Sequence, residues 1–326
     1  MKVSVIIATF NVQRTIYKCI KSILDQNYPI LEILIFDGGS TDNTFEILWS
    51  FKSPKIKIIK AGFRDNMEAR RSVGFKKAKG EFILSLDSDN YLYGHDDIAK
   101  MVLPMEKDKN LAGSFSLHYF YDQQLPTFTR YISLFGNHDP VAYYLGKADR
   151  QKFTVSKWPN NSQIVRENQN WTTVKFGKTD FPTLGCNGFL MRKKFFKLDK
   201  VKPEAFFHTD VLFDLLADGR NSYAVVDAHI VHDSSPDIRR HLEKRYEYMS
   251  LHHISLNQIR RYKVFDGNSK RDWLNLGKFI LFTLTFVEPL FESIVCFIKV
   301  RDVAWFIHPF LCWAFLLTYA KAIINK

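Results

Sequence analysis

The sequence predicts an α/β protein on a doubly wound, mostly parallel sheet, followed by a C-terminal helical, membrane-associating appendage. Three observations carry that expectation. Apolar, β-branched runs alternate with helical spacing through the N-terminal third, as successive strand–helix units require. One such run, residues 82–86, stops at two carboxylates, Asp87 and Asp89. After a basic stretch, two long apolar segments close the chain.

The elements follow in order. VSVIIATFN, residues 3–11, is continuous and apolar, as a parallel strand buried on both faces reads. Ile16, Cys19, Ile20, Ile23 and Leu24 give helical spacing to residues 15–26, ended by Asn27 and Pro29. A second buried strand, residues 33–36, opens into Asp37, Gly38, Gly39 and Ser40. Thr41 or Asp42 is placed to cap a helix over 44–51, residues 57–60 form a short strand, and 66–79 a helix leading to Gly80. Residues 82–86 then carry the chain to the carboxyl edge of the sheet, where open α/β sheets bind their ligands.

At that edge Asp87 and Asp89 flank Ser88, and side chains two apart on extended backbone point the same way. Hard carboxylate oxygens suit Mg²⁺ or Mn²⁺, which shares its coordination with water and substrate phosphates. An acidic turn after a strand equally suits a solvated loop or a helix cap.

With 326 residues, 46% hydrophobic and 25% charged, the chain has material for one large α/β domain and an appendage, and is not a disordered tail. A net charge of +12 points to an anionic partner. Its basic residues are dispersed next to apolar segments and no nucleic-acid motif is present, so no nucleic-acid partner is expected. Cys19, Cys186, Cys296 and Cys312 lack disulfide or zinc spacing, which fits a reducing, cytosolic setting. Met1 leads straight into a strand, so no secretory signal peptide is expected.

IIATFN, FDGGSTDNT, a helix carrying Arg71 and Gly74, and AKGEFILSLDSDN together resemble the family 2 glycosyltransferases of GT-A fold. The resemblance implies a nucleotide-sugar site in which Thr9, Phe10 and Asn11 line the nucleotide pocket. It implies that Asp37 accepts from the base, that Arg71, Asp87 and Ser88 lie along the nucleotide-sugar, and that Asp89 ligates the metal. Within these motifs two positions depart from the family's pattern, and further on Thr209 stands where the family has an acid before Asp210. Its usual Arg-Asn reads Arg71-Ser72, and Asn90 stands where a further Asp is common.

Beyond this region, residues 96–106 read as a helix interrupted by Pro104, and 111–121 alternate like a strand. Residues 125–181 are irregular and aromatic-rich, with FGNHDP, YYLGK and KWPNN runs. The turn Gly185, Asn187, Gly188 before a strand is similar to the family's donor-sugar loop. Thr209 is placed to cap a helix whose first turn holds Asp210, and the resemblance makes Asp210 the catalytic base. A late strand in 223–235 ends in His232, which the resemblance makes a third metal or diphosphate contact.

After Pro236 the composition shifts. Residues 237–263 carry seven Lys/Arg against three Asp/Glu with apolar residues between, as in a basic amphipathic helix or pair. Segment 273–300 carries Lys278, Thr285, Glu288, Glu292 and Lys299 within a sector of roughly 80° at about 100° per residue, with a kink expected at Pro289. Segment 303–324 is long enough to span a membrane, although His308-Pro309 interrupts it. The expected division is a catalytic domain over 1–236, a basic helical region over 237–264 and a membrane-associating segment over 265–326.

These parts combine into an inverting, Mn²⁺- or Mg²⁺-dependent glycosyltransferase. It would move a sugar from a nucleotide-sugar to a polyprenyl-linked glycan, working with membrane lipids at the cytoplasmic side of the cell membrane. A polyprenyl-phosphate sugar synthase is the neighbouring enzyme reading.

Overall fold

The computed structural model describes residues 2–158, 163–196, 202–234 and 237–325. Pro159, Asn160 and Asn161 of the KWPNN run, together with Ser235 and the expected boundary at Pro236, lie outside the described residues.

The chain divides into two compact units, Met1–Phe120 with Trp158–Asp233, and Tyr121–Lys157 with Ser234–Lys326. The catalytic domain expected over 1–236 is therefore crossed by a segment that belongs with the C-terminal helices.

The first unit begins with the expected alternation: β1 (Val3–Thr9), α1 (Ile16–Leu24), β2 (Ile30–Asp37), α2 (Thr44–Ser50), β3 (Ile56–Lys60), α3 (Met67–Lys77) and β4 (Phe82–Asp87). It continues with β5 (Asn90–Leu92), α4 (Asp97–Lys107) and β6 (Gly113–Ser116). Within the second unit lie α5 (Thr127–Phe135) and α6 (Pro140–Tyr144). The first unit resumes with β7 (Gln163–Glu167), β8 (Trp171–Lys175), β9 (Phe189–Arg192), α7 (His208–Ala217), β10 (Ser222–Val226) and β11 (Ile230–His232). The second unit ends with α8 (Ile238–Tyr248), α9 (Lys270–Thr285), α10 (Val287–Lys299) and α11 (Ile307–Ile324).

Among the described residues, one sheet has nine strands in the order β3-β2-β1-β4-β9-β6-β10-β8-β7. β3, β2, β1 and β4 run parallel, while β9 inserts antiparallel between β4 and β6. β1 is buried along its whole length, and each of Val5, Ile6 and Ile7 contributes roughly 1.5–3 kcal/mol by leaving water. A separate two-stranded sheet pairs β11 with β5.

Several elements differ from expectation for identifiable reasons. Pro104 sits inside α4, and the helix runs on past it to Lys107. The strand expected over 111–121 is only the four residues of β6. The irregular 125–181 stretch holds two helices and the β7–β8 hairpin. In the C-terminal segment the break falls at Phe286, whose φ of 63° is left-handed, and the two helices meet at 83°. Pro289 instead lies in the first turn of α10, where its missing N–H costs nothing. Likewise Pro309 sits in the first turn of α11, so His308-Pro309 does not interrupt that helix.

The polar stripe expected on one helix is split, with Lys278 and Thr285 on α9 and Glu288, Glu292 and Lys299 on α10. The two glutamates, four residues apart, are turned into the second unit. The Tyr144 hydroxyl donates to Glu288, the Tyr143 hydroxyl donates to Glu292 at 2.8 Å, and the Lys152 ammonium pairs with Glu292. His308, 1% exposed, stands 3.4 Å from Glu292 and shares a hydrogen bond of 3.1 Å with the Tyr131 hydroxyl. Burial alone pushes the Glu292 carboxyl up, yet His308 and Lys152 outweigh it and hold it at about 2. A carboxyl lowered on folding stabilises fully above its ordinary 4.5 and loses that contribution as pH falls towards about 2. Thermal midpoints recorded from about pH 5 down to about pH 2 should fall more steeply for the native chain than for Glu292→Gln. Parallel curves would remove Glu292 from the acid response.

The turn into β9 depends on Gly188, whose φ is +78° and where an added Cβ would stand 2.3 Å from Cδ1 of the buried Ile230. Gly188→Ala should therefore cost about 1–3 kcal/mol in urea unfolding. An unchanged midpoint would show that the turn accepts a side chain.

Candidate active site

Parallel register brings the candidate residues to one level. Thr9 pairs with Asp37 across β1 and β2, and Ala8 pairs with Asp87 across β1 and β4. Thr9, Asp37 and Asp87 thus share the carboxyl edge of three adjacent strands, with Phe10 and Asn11 just beyond it.

Asp37 is fully buried. One carboxylate oxygen accepts from the Gly39 and Ser40 N–H groups at 2.7 and 2.8 Å. The other accepts from the Thr9 and Ser40 hydroxyls at 2.9 and 2.6 Å. With about four acceptor positions on a carboxylate, this Asp is the anchor of its own turn, and a nucleotide base would have to displace one of these bonds. Asn11, left-handed at φ 51°, accepts from the Thr41 N–H at 2.8 Å and so ties the β1 loop to the β2 loop. The Arg64 guanidinium lies 4.9 Å from the Phe10 ring. Arg70 is buried beside Asp37. Burial pushes its guanidinium down to about 10, against the pull of that carboxylate.

Arg71 lies beneath the crevice. Its side chain is 2% exposed and pairs with Asp87 and with Glu68. Its own guanidinium is thus withdrawn from the surface, and Asp87 stands between it and the crevice. Glu68 extends the network: its carboxylate stands 2.9 Å from His208 Nδ1 and accepts the His208 backbone N–H at 2.9 Å. Helix α7 has no side-chain cap of its own, and Glu68 supplies the acceptor expected from Thr209. His208 also faces Cys186, 3.5 Å from its other ring nitrogen.

Asp210 follows in the first turn of α7 and is completely buried. Gly185 and Asn187 have φ of 118° and 55°, and a Cβ on Gly185 would touch His208 at 3.0 Å. The Gly185–Gly188 turn and the α7 N-terminus are thereby packed together, with the Gly188 N–H donating to the Ser85 carbonyl at 3.0 Å.

Asp89 and His232 are joined by the small sheet, in which His232 pairs with Asn90. His232 Nε2 stands 3.6 Å from Asp89 Oδ2. That is less than twice the about 2.1 Å bond length of a small divalent cation, so both can face one ion. Among the described residues no three His, Cys, Asp or Glu groups form a ready-made cage. Such a two-point hold fits an ion that takes its other ligands from water and diphosphate. Asp87 is committed to Arg71 and Ser88 is partly exposed beside it. Asn90 is turned inward, its side-chain oxygen accepting the Asp87 N–H at 3.2 Å. The Asp233 N–H donates to the Asp89 carbonyl at 2.8 Å, and Arg14 holds the Asp233 carboxylate at 3.0 Å.

Glu68, His208, Arg14 and Asp233 were not singled out from the sequence. Glu68 reads there as ordinary acid in a helix first turn, and its partner lies 140 residues away. Removing one member of a buried ion pair costs about 3–5 kcal/mol, so Glu68→Ala should lower urea stability by that order. A loss well under about 1 kcal/mol would show the pair to be incidental.

Comparisons with known proteins converge on one family. Residues 4–192 match the family model Glycosyl transferase family 2. The Escherichia coli UDP-Glc:alpha-D-GlcNAc-diphosphoundecaprenol beta-1,3-glucosyltransferase WfaP is 38% identical over 117 residues, 36% of this chain and 46% of that protein. The Campylobacter jejuni GalNAc(5)-diNAcBac-PP-undecaprenol beta-1,3-glucosyltransferase is 33% identical over 94 residues, 28% of this chain and 30% of that protein. The chain thus spans less than half the length of these curated relatives. The Pyrobaculum calidifontis mannosyltransferase PcManGT, solved with GDP-Man and Mn²⁺, is similar in fold. Its TM-score is 0.53 at 12% identity, over 99% of this chain and 87% of that one.

Proposed function

The chain belongs to glycosyl transferase family 2, and from that premise we propose that it is an inverting glycosyltransferase using a nucleotide-sugar donor and a lipid-linked glycan acceptor. The carrying observation is the shared edge of β1, β2 and β4, where the nucleotide would lie across Thr9, Phe10, Asn11 and Asp37. Asp87, fixed by Arg71, and Ser88 would continue that surface towards the ribose, and the Gly185, Asn187 and Gly188 turn would meet the donor sugar. Asp89 and His232 would hold Mn²⁺ or Mg²⁺, whose chemistry is to neutralise the diphosphate as it leaves.

Asp210 would take the proton from the acceptor hydroxyl as its oxygen attacks the anomeric carbon. Asp210 is buried in the first turn of α7, and Glu68 fixes that turn through His208. Two relatives whose names specify undecaprenol-diphosphate-linked substrates support the acceptor class. The proposed setting is the cytoplasmic side of a membrane, where anionic lipids attract a chain of net charge +12.

The test is nucleoside diphosphate release from a panel of nucleotide-sugars, with Mn²⁺ or Mg²⁺, with and without a polyprenyl-diphosphate-linked acceptor. Asp210→Ala should lose on the order of a hundredfold or more in kcat, and Asp89→Ala should lose metal-dependent turnover. A fully active Asp210→Ala would sink the base assignment. Turnover on polyprenyl phosphate alone, whose oxygen is already ionised, would favour a polyprenyl-phosphate sugar synthase instead.

A further inference from the structure

The C-terminal helices of the second unit, residues 270–325, sort their charges by sign. Between residues 270 and 325, Lys270, Arg271, Lys278, Lys299, Arg301 and Lys321 are all exposed. The acids of the same stretch are drawn inward: Asp272 and Asp302 are buried, and Glu288 and Glu292 bond to tyrosines.

Between Lys278 and Lys299 the exposed surface is apolar but for Thr285, whose hydroxyl donates to the Leu281 carbonyl at 2.9 Å. Leu281, Leu284, Val287, Phe291 and Ile298 are each more than half exposed, at 58, 56, 68, 65 and 61%. They cluster about the 83° elbow at Phe286, whose ring meets that of the exposed Phe310. An apolar surface of this extent on a protein marks an interaction site.

We propose that this elbow is a bilayer wedge that enters one leaflet and returns, with its cationic rim on anionic head groups. The inference rests on the membrane attachment proposed above and not on the transfer chemistry. It goes further by naming the surface and by excluding a crossing. The arm over 279–285 is about 10 Å long at ~1.5 Å per residue, matching the roughly 5–10 Å to which interfacial helices sink. The bend prevents α9 and α10 from forming one straight span, and Lys278 and Lys299 mark the two points where the chain meets the head groups.

Although Val303–Ile324 is long and apolar enough to cross a membrane, α11 packs against α5, α6, α8, α9 and α10. Its Tyr319 and His308 are tied to Asp139 and Tyr131. Crossing would drag those polar partners into hydrocarbon. Helix α11 is thus the core of the unit on which the wedge is mounted.

The test uses the full chain and vesicles of phosphatidylcholine with or without phosphatidylglycerol. Flotation should retain the native protein, more strongly with the anionic lipid. Leu284→Glu or Phe291→Glu should weaken retention by at least about tenfold, while the exposed Val165→Glu in the other unit should not. An impermeant maleimide added outside should label Lys278→Cys and Lys299→Cys equally. Opposite-side labelling would overturn the wedge and leave attachment standing, whereas no vesicle binding by the native chain would overturn both. Unchanged flotation of the two Glu variants would exclude this surface as the contact.

Discussion

The buried ion network of Glu68, Arg71, Asp87 and His208 is the constraint on which the candidate site depends. Four groups that would each be costly alone in the interior are made tolerable by one another. Arg71 pairs both with Asp87 at the end of β4 and with Glu68 on its own helix. Glu68 in turn caps α7, the helix bearing Asp210. One guanidinium therefore sets the spacing between the strand that would hold the nucleotide and the helix that would hold the base. Loss of its charge would disturb both ends at once, which distinguishes it from a residue that merely lines a pocket.

The same logic separates Asp87 from Asp89, though they are one residue apart. Asp87 faces into the network and is spent on an internal cation. Asp89 remains partly exposed, with His232 brought beside it by a two-stranded sheet. A pair that looks symmetrical in sequence is thus divided into an inner carboxylate that orients and an outer one that can meet an ion.

The N-terminal half was legible because parallel strands buried on both faces leave unbroken apolar runs, and helix spacing between them is unmistakable. The level of Thr9, Asp37 and Asp87 followed from that alternation. The middle was opaque for a physical reason. Tyr131, Tyr143 and Tyr144 pack against Glu288, Glu292 and His308, more than a hundred residues on, and no local period records such partners. Proline misled at 104, 289 and 309; the last two fall in a helix's first turn, where the missing N–H costs nothing. The break at Phe286 carries no composition signal, because a left-handed phenylalanine is set by its surroundings and not by its own preference. The bonds from Gly39, Ser40 and Thr9 to Asp37 belong to the turn chemistry of an Asp before glycines.

The second unit is assembled from a segment in mid-chain and the C-terminal helices, with Arg130 bridging to Asp302 and Arg245 to Asp139 across that gap in sequence. It is therefore not a tail. A stop codon after the last strand would strip α5 and α6 of the helices that cover Tyr131 and Phe135, turning a folded surface into a sticky one. Because two separate segments build it, a single cut cannot trim this unit away. Any soluble version of the first unit alone needs the mid-chain segment removed as well, with Phe120 and Trp158 rejoined by a linker.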